Sequence, residues 1–412
     1  LSNLPIKIMK NPSSPVAVNI FDFNNDGYLD ILLGFYDYPD GMPRMHRSKS
    51  KTESVLVMNQ RGDSFRRSKI QGANGLTWSI GISDVDGDGW ADAYFANDFG
   101  FDMLFTNFEG KNFEDSSYLL KSNNVSNDSM GADFGDIDND GDLDLYVSNL
   151  TIPGRKRGYN RLWLNNTYTN RKLEFIDKGY DLGVDKCGFS WGAKFVDLNL
   201  DSYLDLAISN GLGGSLQPSD HEKVWYIRFM IKRHGPSFLR TLKNYPFKNL
   251  EVTKRQRKCI FIQDPITKKF LDVTAAAGIT HRFISQGLAL IDFNNDGFLD
   301  LLFDREKNSP VLIRNTYTGG NAWAGIELIE NNRAAIGARI ALRHPSSTQY
   351  KELFPGNGFS SQSDPRLVFG IGADIKIYSA TVSWTNGTKE LFNNIQINKY
   401  NTLLRGQGVK IK

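Results

Sequence analysis

The stretch Asp136-Ile-Asp-Asn-Asp-Gly-Asp-Leu-Asp144 carries an acidic residue at every odd position of nine and a glycine at the sixth. Carboxylates at positions 1, 3 and 5 of a tight turn can converge on one point. Gly141 permits the positive φ that such a turn needs. Calcium, a hard cation that takes six to eight oxygens at about 2.3–2.6 Å, suits this set; magnesium is disfavoured by so crowded a protein shell.

Five such stretches punctuate the 412 residues. The candidate ligands of the first are Asp22, Asn24, Asp26, the Tyr28 carbonyl and Asp30. Those of the second are Asp84, Asp86, Asp88, the Trp90 carbonyl and Asp92, and those of the third Asp136, Asp138, Asp140, Asp142 and Asp144. The fourth offers Asp197, Asn199, Asp201, Tyr203 and Asp205, and the fifth Asp292, Asn294, Asp296, Phe298 and Asp300. Asparagine at position 3 keeps an oxygen but lowers the charge. The fourth loop is the weakest, because Ser202 stands where glycine belongs, so four calcium sites are expected with a weaker fifth. One such loop alone could be a metal-free Asx-turn; five in register with a repeat favour metal. An EF-hand is excluded, because position 12 of the first loop is Leu33 and the flanks alternate rather than form helices.

The repeat sets the fold. A small-residue strand, A, enters each loop (Val16–Phe21, Ser79–Ser83, Met130–Gly135, Trp191–Val196, Gln286–Ile291), and an alternating apolar strand, B, leaves it. Strand C usually ends in Asn, and strand D surrounds a Phe. Period-2 alternation with turn residues at the joints predicts antiparallel β-structure. Four strands per unit around a ring make a β-propeller, so the fold class is all-β. Counting loops gives five blades; seven would require further degenerate units. The last loop is followed only by B and C, and Leu4–Met9 is expected to supply its D strand and close the ring. An insertion at about residues 211–258 is expected to be partly helical over Glu222–Tyr245. From residue 319 to 412 the acidic loops stop and new β segments predict a second, small β-sandwich-like domain after the propeller of residues 1–318.

The bulk numbers agree. At 40% hydrophobic residues the chain can bury a core, and its net charge of +3 gives no reason to expect nucleic acid. No apolar run is long enough for a membrane-spanning helix. The opening Leu-Ser-Asn-Leu-Pro reads as a mature or trimmed chain. Cys187 and Cys259 could form one disulfide or remain two buried thiols.

The loops resemble the FG-GAP/VCBS repeats found in integrin α-subunit propellers. Asn332-Arg-Ala-Ala-Ile-Gly-Ala-Arg339, Gly356-Asn-Gly-Phe-Ser-Ser-Gln362, Phe369-Gly-Ile-Gly372 and Val382-Ser-Trp-Thr-Asn-Gly387 resemble the ASPIC/UnbV domain of the cartilage acidic protein family. The two resemblances imply a secreted calcium-binding protein of the adhesion or interaction type, extracellular, at the cell surface or periplasmic, with no established catalytic activity.

Propeller connectivity puts all A–B turns, and so all five metal loops, on one face, with the B–C connections opposite. Several of those connections are basic: Arg44, His46, Arg47, Lys49 and Lys51 in the first, Arg155–Arg157 in the third, and a larger set including Arg233, Arg255, Arg257 and Lys258 in the fourth. The expectation is a docking surface for a protein or acidic glycan partner, with Arg233, Arg255 and Arg257 as contact residues; the plainer alternative is solvated loop charge. Arg61-Gly62-Asp63 is better explained as ordinary hairpin chemistry than as a recognition tripeptide. Five histidines in no metal-pair spacing, no G-x-S-x-G elbow and no C-x-x-C leave no catalytic constellation, so a binding module is expected rather than an enzyme. The alternatives are a structural subunit of a larger extracellular assembly and a propeller enzyme acting on polysaccharide.

Overall fold

The computed structural model describes residues 15–37, 49–120, 128–150, 158–167, 172–211, 256–373 and 376–411. Five antiparallel sheets follow one another in chain order, four of them four-stranded and the last three-stranded. Blade I comprises Pro15–Phe21, Asp30–Phe35, Val55–Gln60 and Ser64–Lys69. Blade II comprises Leu76–Ser83, Asp92–Asp98, Met103–Phe108 and Asn112–Asp115. Blade III runs through Ser129–Gly135, Asp144–Asn149, Arg161–Asn165 and Phe175–Asp177, and blade IV through Ser190–Val196, Asp205–Asn210, Cys259–Gln263 and Phe270–Asp272. Blade V holds Leu288–Ile291, Asp300–Phe303 and Val311–Ile313. The fourth strand expected at Leu4–Met9 and the helical reading of Glu222–Tyr245 lie outside the described residues.

Alternation explains how the blades stack. Side chains on a strand point to opposite faces in turn, so a strand between two sheets feeds both interfaces. In blade III, Leu145 and Val147 pack with Tyr94, Ala96 and Leu104 of blade II. Tyr146 between them packs with Phe195, Leu206 and Ile208 of blade IV. Strands A lie closest together, which is why they are rich in small residues. A Cβ on Gly131 would lie 2.6 Å from the Trp191 carbonyl of the next blade. Ser148 and Ser209 each accept a hydrogen bond from strand A of their own blade, at Gly131 N and Gly192 N. Each also donates to a carbonyl of the following blade, Trp191 and Gln286 respectively.

Cys187 and Cys259 form a disulfide, with Cα atoms 6.1 Å apart. It ties the entry to blade IV to that blade's strand C.

The C-terminal domain is a sandwich. One sheet centres on Ala322–Glu330, paired antiparallel with Arg333–Ala334 and Leu367–Gly372 and parallel with Tyr400–Leu404. The other orders Thr348–Glu352, Arg339–Arg343, Ser379–Ser383, Lys389–Phe392 and Val409–Ile411. Ile326, Leu328 and Phe369 of the first meet Ile340, Leu342, Ala380 and Val382 of the second in one core.

The segment after Thr348–Glu352 leaves the sandwich and runs along strands A of all five blades. Asn357 accepts from Asn19 Nδ2 of blade I at 3.1 Å, and makes a two-way pair with the Ile82 backbone of blade II at 2.8 and 2.9 Å. Gly358 N donates to Ala132 O of blade III at 2.7 Å. The Asn357 carbonyl accepts from Lys194 of blade IV. Ser361 Oγ donates to Leu288 O, and Asp364 N to Leu290 O, in blade V. The sequence motif Gly356–Gln362 is therefore the axle of the propeller.

Candidate metal centres

Four of the five acidic turns are held at the first carboxylate by the same pair of bonds; in the second, Asp84 accepts from Gly89 N–H while the Asp88 N–H donates to Asp86. The first carboxylate accepts from the backbone N–H groups at positions 5 and 6: Asp22 from Asp26 and Gly27, Asp136 from Asp140 and Gly141, Asp197 from Asp201 and Ser202, and Asp292 from Asp296 and Gly297. The fifth carboxylate accepts from the N–H at position 7, at Tyr28, Trp90, Asp142, Tyr203 and Phe298. Glycine takes a positive φ at position 6 in four loops, and Ser202 holds the same left-handed conformation at φ 81°. The fourth turn is thus built like the others, at the strain cost of a side chain there.

Acid content separates the loops. Asp84, Asp86 and Asp88 offer oxygens within 4.8 Å of one another, as do Asp136, Asp138 and Asp144, and either group could hold a metal ion. In loops 1, 4 and 5 the position-3 amide turns its Nδ2 onto the position-5 carboxylate: Asn24 onto Asp26 at 3.2 Å, Asn199 onto Asp201 at 3.0 Å and Asn294 onto Asp296 at 2.6 Å. Burial pushes the first-position carboxyls up, Asp22 to about 6, Asp84 and Asp197 to about 7 and Asp136 to about 8. Neighbouring carboxylates of the same loop add to this at Asp136 and Asp197, and Glu352 adds to it at Asp84. Asp84 Oδ1 is buried with no hydrogen-bond partner. Crowded, buried carboxylates of this kind favour either protonation or a cation among them.

Position 9 does more than close a ligand shell. One oxygen of Asp30, Asp92, Asp144, Asp205 and Asp300 accepts from the N–H at position 2 of its loop. The other accepts from the N–H that ends strand C, at Asn59, Asn107, Asn165, Gln263 and Asn315. The asparagines then reach backwards: Asn107 Nδ2 donates to Phe23 O, Asn165 Nδ2 to Val85 O and Asn315 Nδ2 to Leu198 O, each in the previous blade's loop at 2.8 Å. The recurrent terminal Asn, visible in sequence without a reason, is an inter-blade staple. Asn149 and Asn165, each of which opens an N-x-[ST] sequence, are buried.

The C-terminal domain sits across the loop face. Arg333 donates to Gly27 O at 2.7 Å, Arg339 to Gly141 O and Ser202 Oγ to Gly370 O at 3.0 Å. Tyr400 OH donates to Asp292 Oδ2 at 2.6 Å, and Arg366 to Asp292 O at 3.2 Å. Glu352 accepts from Ser83 Oγ and Asp84 N. Every metal loop thus meets this domain, which sequence reasoning treated as a separate unit. The glycines of Gly356-Asn-Gly-Phe359 are the available signal, because small residues in a loop imply close backbone approach.

Residues 84–147 match the family model of an FG-GAP-like repeat, and residues 329–410 that of ASPIC and UnbV. The chain carries an FG-GAP-like repeat and a UnbV domain. Among solved structures, an exotype rhamnogalacturonan lyase, YesX, aligns over 73% of this chain and 47% of its own, at 12% identity and a TM-score of 0.29. The chain therefore spans about half the length of that structure. No curated protein matches the sequence. The FG-GAP match covers the second and third loops, the two in which three carboxylates converge, and the UnbV match includes the axle.

Of the basic residues expected on the opposite face, Arg233 and Arg255 lie outside the described residues. Arg257 pairs with Asp272 at 2.5 Å. Lys258, counted in sequence among the docking cations, is fully buried and donates to Asn210 O and Phe283 O at 2.5 and 2.7 Å, so its charge is spent inside the fold. Burial pushes its ammonium down to about 7. Arg61 and Gly62 take φ of 56° and 89°, the primed-turn geometry of a two-residue hairpin, which accounts for that tripeptide. At the end of the axle, Phe359 packs on Trp78 and Trp191, and Tyr36 lies 4.3 Å from Trp78. Tyr36 OH and Trp78 Nε1 both donate to the buried Asp98.

Proposed function

We propose that the chain is a secreted, calcium-stabilised propeller that binds a protein or acidic glycan partner through the face opposite its metal loops, and that it acts without catalysis. The observation that carries this reading is the seat of the UnbV domain. It covers the acidic face, so the side presented to a partner is the one from which the basic B–C connections leave. Calcium fits the loops because all candidate donors are oxygens, the first-position carboxyls are buried, and Asp84 Oδ1 lacks a partner. When bound, the ion neutralises those carboxylates; the chain's own residues hold the turn, through the position-1, 5 and 9 bonds. The disulfide favours an oxidising compartment, extracellular or periplasmic.

A glycan array and an affinity capture from culture medium, run with wild type and with Arg233, Arg255 and Arg257 reversed to Glu, test the partner face. Binding that the triple variant retains in full sinks it. A second reading, a structural subunit of a larger assembly, predicts mass growth with concentration in light scattering.

A further inference from the structure

We propose that the metal site of the second acidic loop is supported from both domains: Glu352 of the UnbV domain is a supporting carboxylate beside the converging oxygens of Asp84, Asp86 and Asp88, and loading this loop fastens the domain to the propeller. The inference rests on the calcium reading of the loops given above.

Glu352 ends the strand Thr348–Glu352 and its side chain is 4% exposed. Its Oε2 accepts from Ser83 Oγ at 2.8 Å and from Asp84 N at 3.2 Å, so the carboxylate lies against the first residue of the loop. The strand serves two loops from one side, because alternate residues share a face. The Tyr350 ring lies beside Gly141 of loop 3, and Glu352, two residues on, reaches loop 2.

What the domain brings to each loop differs. Loops 1, 3 and 5 receive cationic or neutral donors, from Arg333, Arg339, and Arg366 with Tyr400. Loop 4 meets the Gly370 carbonyl. Among the described residues, loop 2 alone is met by a carboxylate, and it already holds Asp84, Asp86, Asp88 and Asp92. The nearest compensating charge is Arg339, whose Nη1 stands 3.8 Å from Glu352 Oε1 and whose Nη2 is committed to Gly141 O. Burying a fifth carboxylate against four others is costly unless a cation belongs among them. A cavity of about 1100 Å³, lined by Asp84, Asp86, Asp88, Arg339 and Glu352, opens beside the loop and admits an ion with its waters.

The test is a calcium titration of the full chain by calorimetry, with Glu352→Gln and Glu352→Asp. Asp84→Asn, which removes a loop-2 ligand outright, identifies that site in the isotherm. Glu352→Gln is expected to weaken the same site by about 10–100-fold, as loss of a supporting carboxylate does, and to leave the others unchanged. Glu352→Asp keeps the charge, withdraws it by one methylene, and gives a smaller loss at the same site. Linkage requires a matching effect on the axle. Calcium should slow hydrogen exchange at Gly358 and Asp364 in wild type, and that slowing should shrink in Glu352→Gln while exchange in EGTA stays as in wild type. A merely structural role would change exchange in EGTA as well. Wild type that binds no calcium overturns the calcium reading and this proposal with it. Wild type that binds calcium, with the loop-2 site unweakened in both variants, overturns this proposal alone.

Discussion

Removing calcium should make the protein's stability fall as pH rises from 5 to 8, the reverse of ordinary acid denaturation. The first-position carboxyls set the sign. Without metal, folding raises Asp22 to about 6, Asp84 and Asp197 to about 7 and Asp136 to about 8, from the 3.8 of a free aspartate. Between the unfolded and folded values the native state binds more protons, so stability falls with pH through that window. Each pH unit is worth about 1.4 kcal/mol per group. Across the four groups the loss from pH 5 to pH 8 is on the order of 10 kcal/mol, comparable with the whole stability of a typical domain. At about 2.1 cal/mol/K per residue of unfolding entropy, a chain of this size loses on the order of 10 °C in Tm. With saturating calcium the same carboxylates are held ionised, and the trend reverses: stability is lost as acid displaces the metal. The assay is thermal unfolding by circular dichroism in EGTA and in calcium at pH 5, 6, 7 and 8. A Tm in EGTA that is flat or rises towards pH 8 would refute the reasoning, as would curves identical with and without calcium.

Asn165→Ala should cost about 2–3 kcal/mol in chemical denaturation, because it removes the Nδ2 donor and leaves Val85 O buried and unpaired; a loss under 0.5 kcal/mol would remove the staple from the account. Lys194→Met should destabilise by about 3–5 kcal/mol, because it leaves Asp133 buried without the ammonium at 3.4 Å and strips the Asn357 carbonyl of its donor; the melting curve reads it. The disulfide closes a loop of 72 residues, so reduction should cost about 4 kcal/mol, seen as a lower denaturation midpoint in reducing buffer; an unchanged midpoint contradicts it. A chain ending at residue 318 should aggregate or expose apolar surface to a hydrophobic dye, because Asn19, Ile82, Ala132 and Leu288 lose their axle partners; a monodisperse, cooperatively melting fragment would show that the axle is dispensable.

The corners of the fold were legible because their chemistry is local. A D-x-[DN]-x-D-G-x-x-D turn is complete within nine residues, and the strands that flank it alternate with period 2, so loops, blades and their order could all be read from spacing. In loop 4 the sequence shows that Ser202 replaces glycine, and only the structure shows that the backbone keeps the left-handed turn there. What escaped reading depends on partners far away in sequence. The pairing of Asn357 with Ile82 spans 275 residues, and no periodicity reports it. Lys258 looked like surface charge because it follows a basic run, but its neighbours in space are the carbonyls of Asn210 and Phe283. The terminal asparagines of strands C recur visibly in sequence, but their role does not show there, because their acceptors belong to the preceding blade.

The axle changes how the two domains relate. Five strands A meeting at a centre leave inward-facing backbone groups that need partners, because unpaired buried amides and carbonyls are costly. The five-bladed hub meets this need with a segment of the UnbV domain. Gly356 is small because a Cβ there would stand 2.9 Å from Asn19 Oδ1, and Gly358 because its φ of 105° is closed to side chains. One sandwich thus fills the centre and, through Arg333, Glu352, Arg339, Gly370 and Tyr400, reaches all five acidic corners. Under the calcium reading, metal binding at a corner and seating of the axle would be linked equilibria, each strengthening the other where the contact favours the loaded loop. The acidic face is consequently the joint between the domains, and the proposed partner surface is the one that joint leaves open.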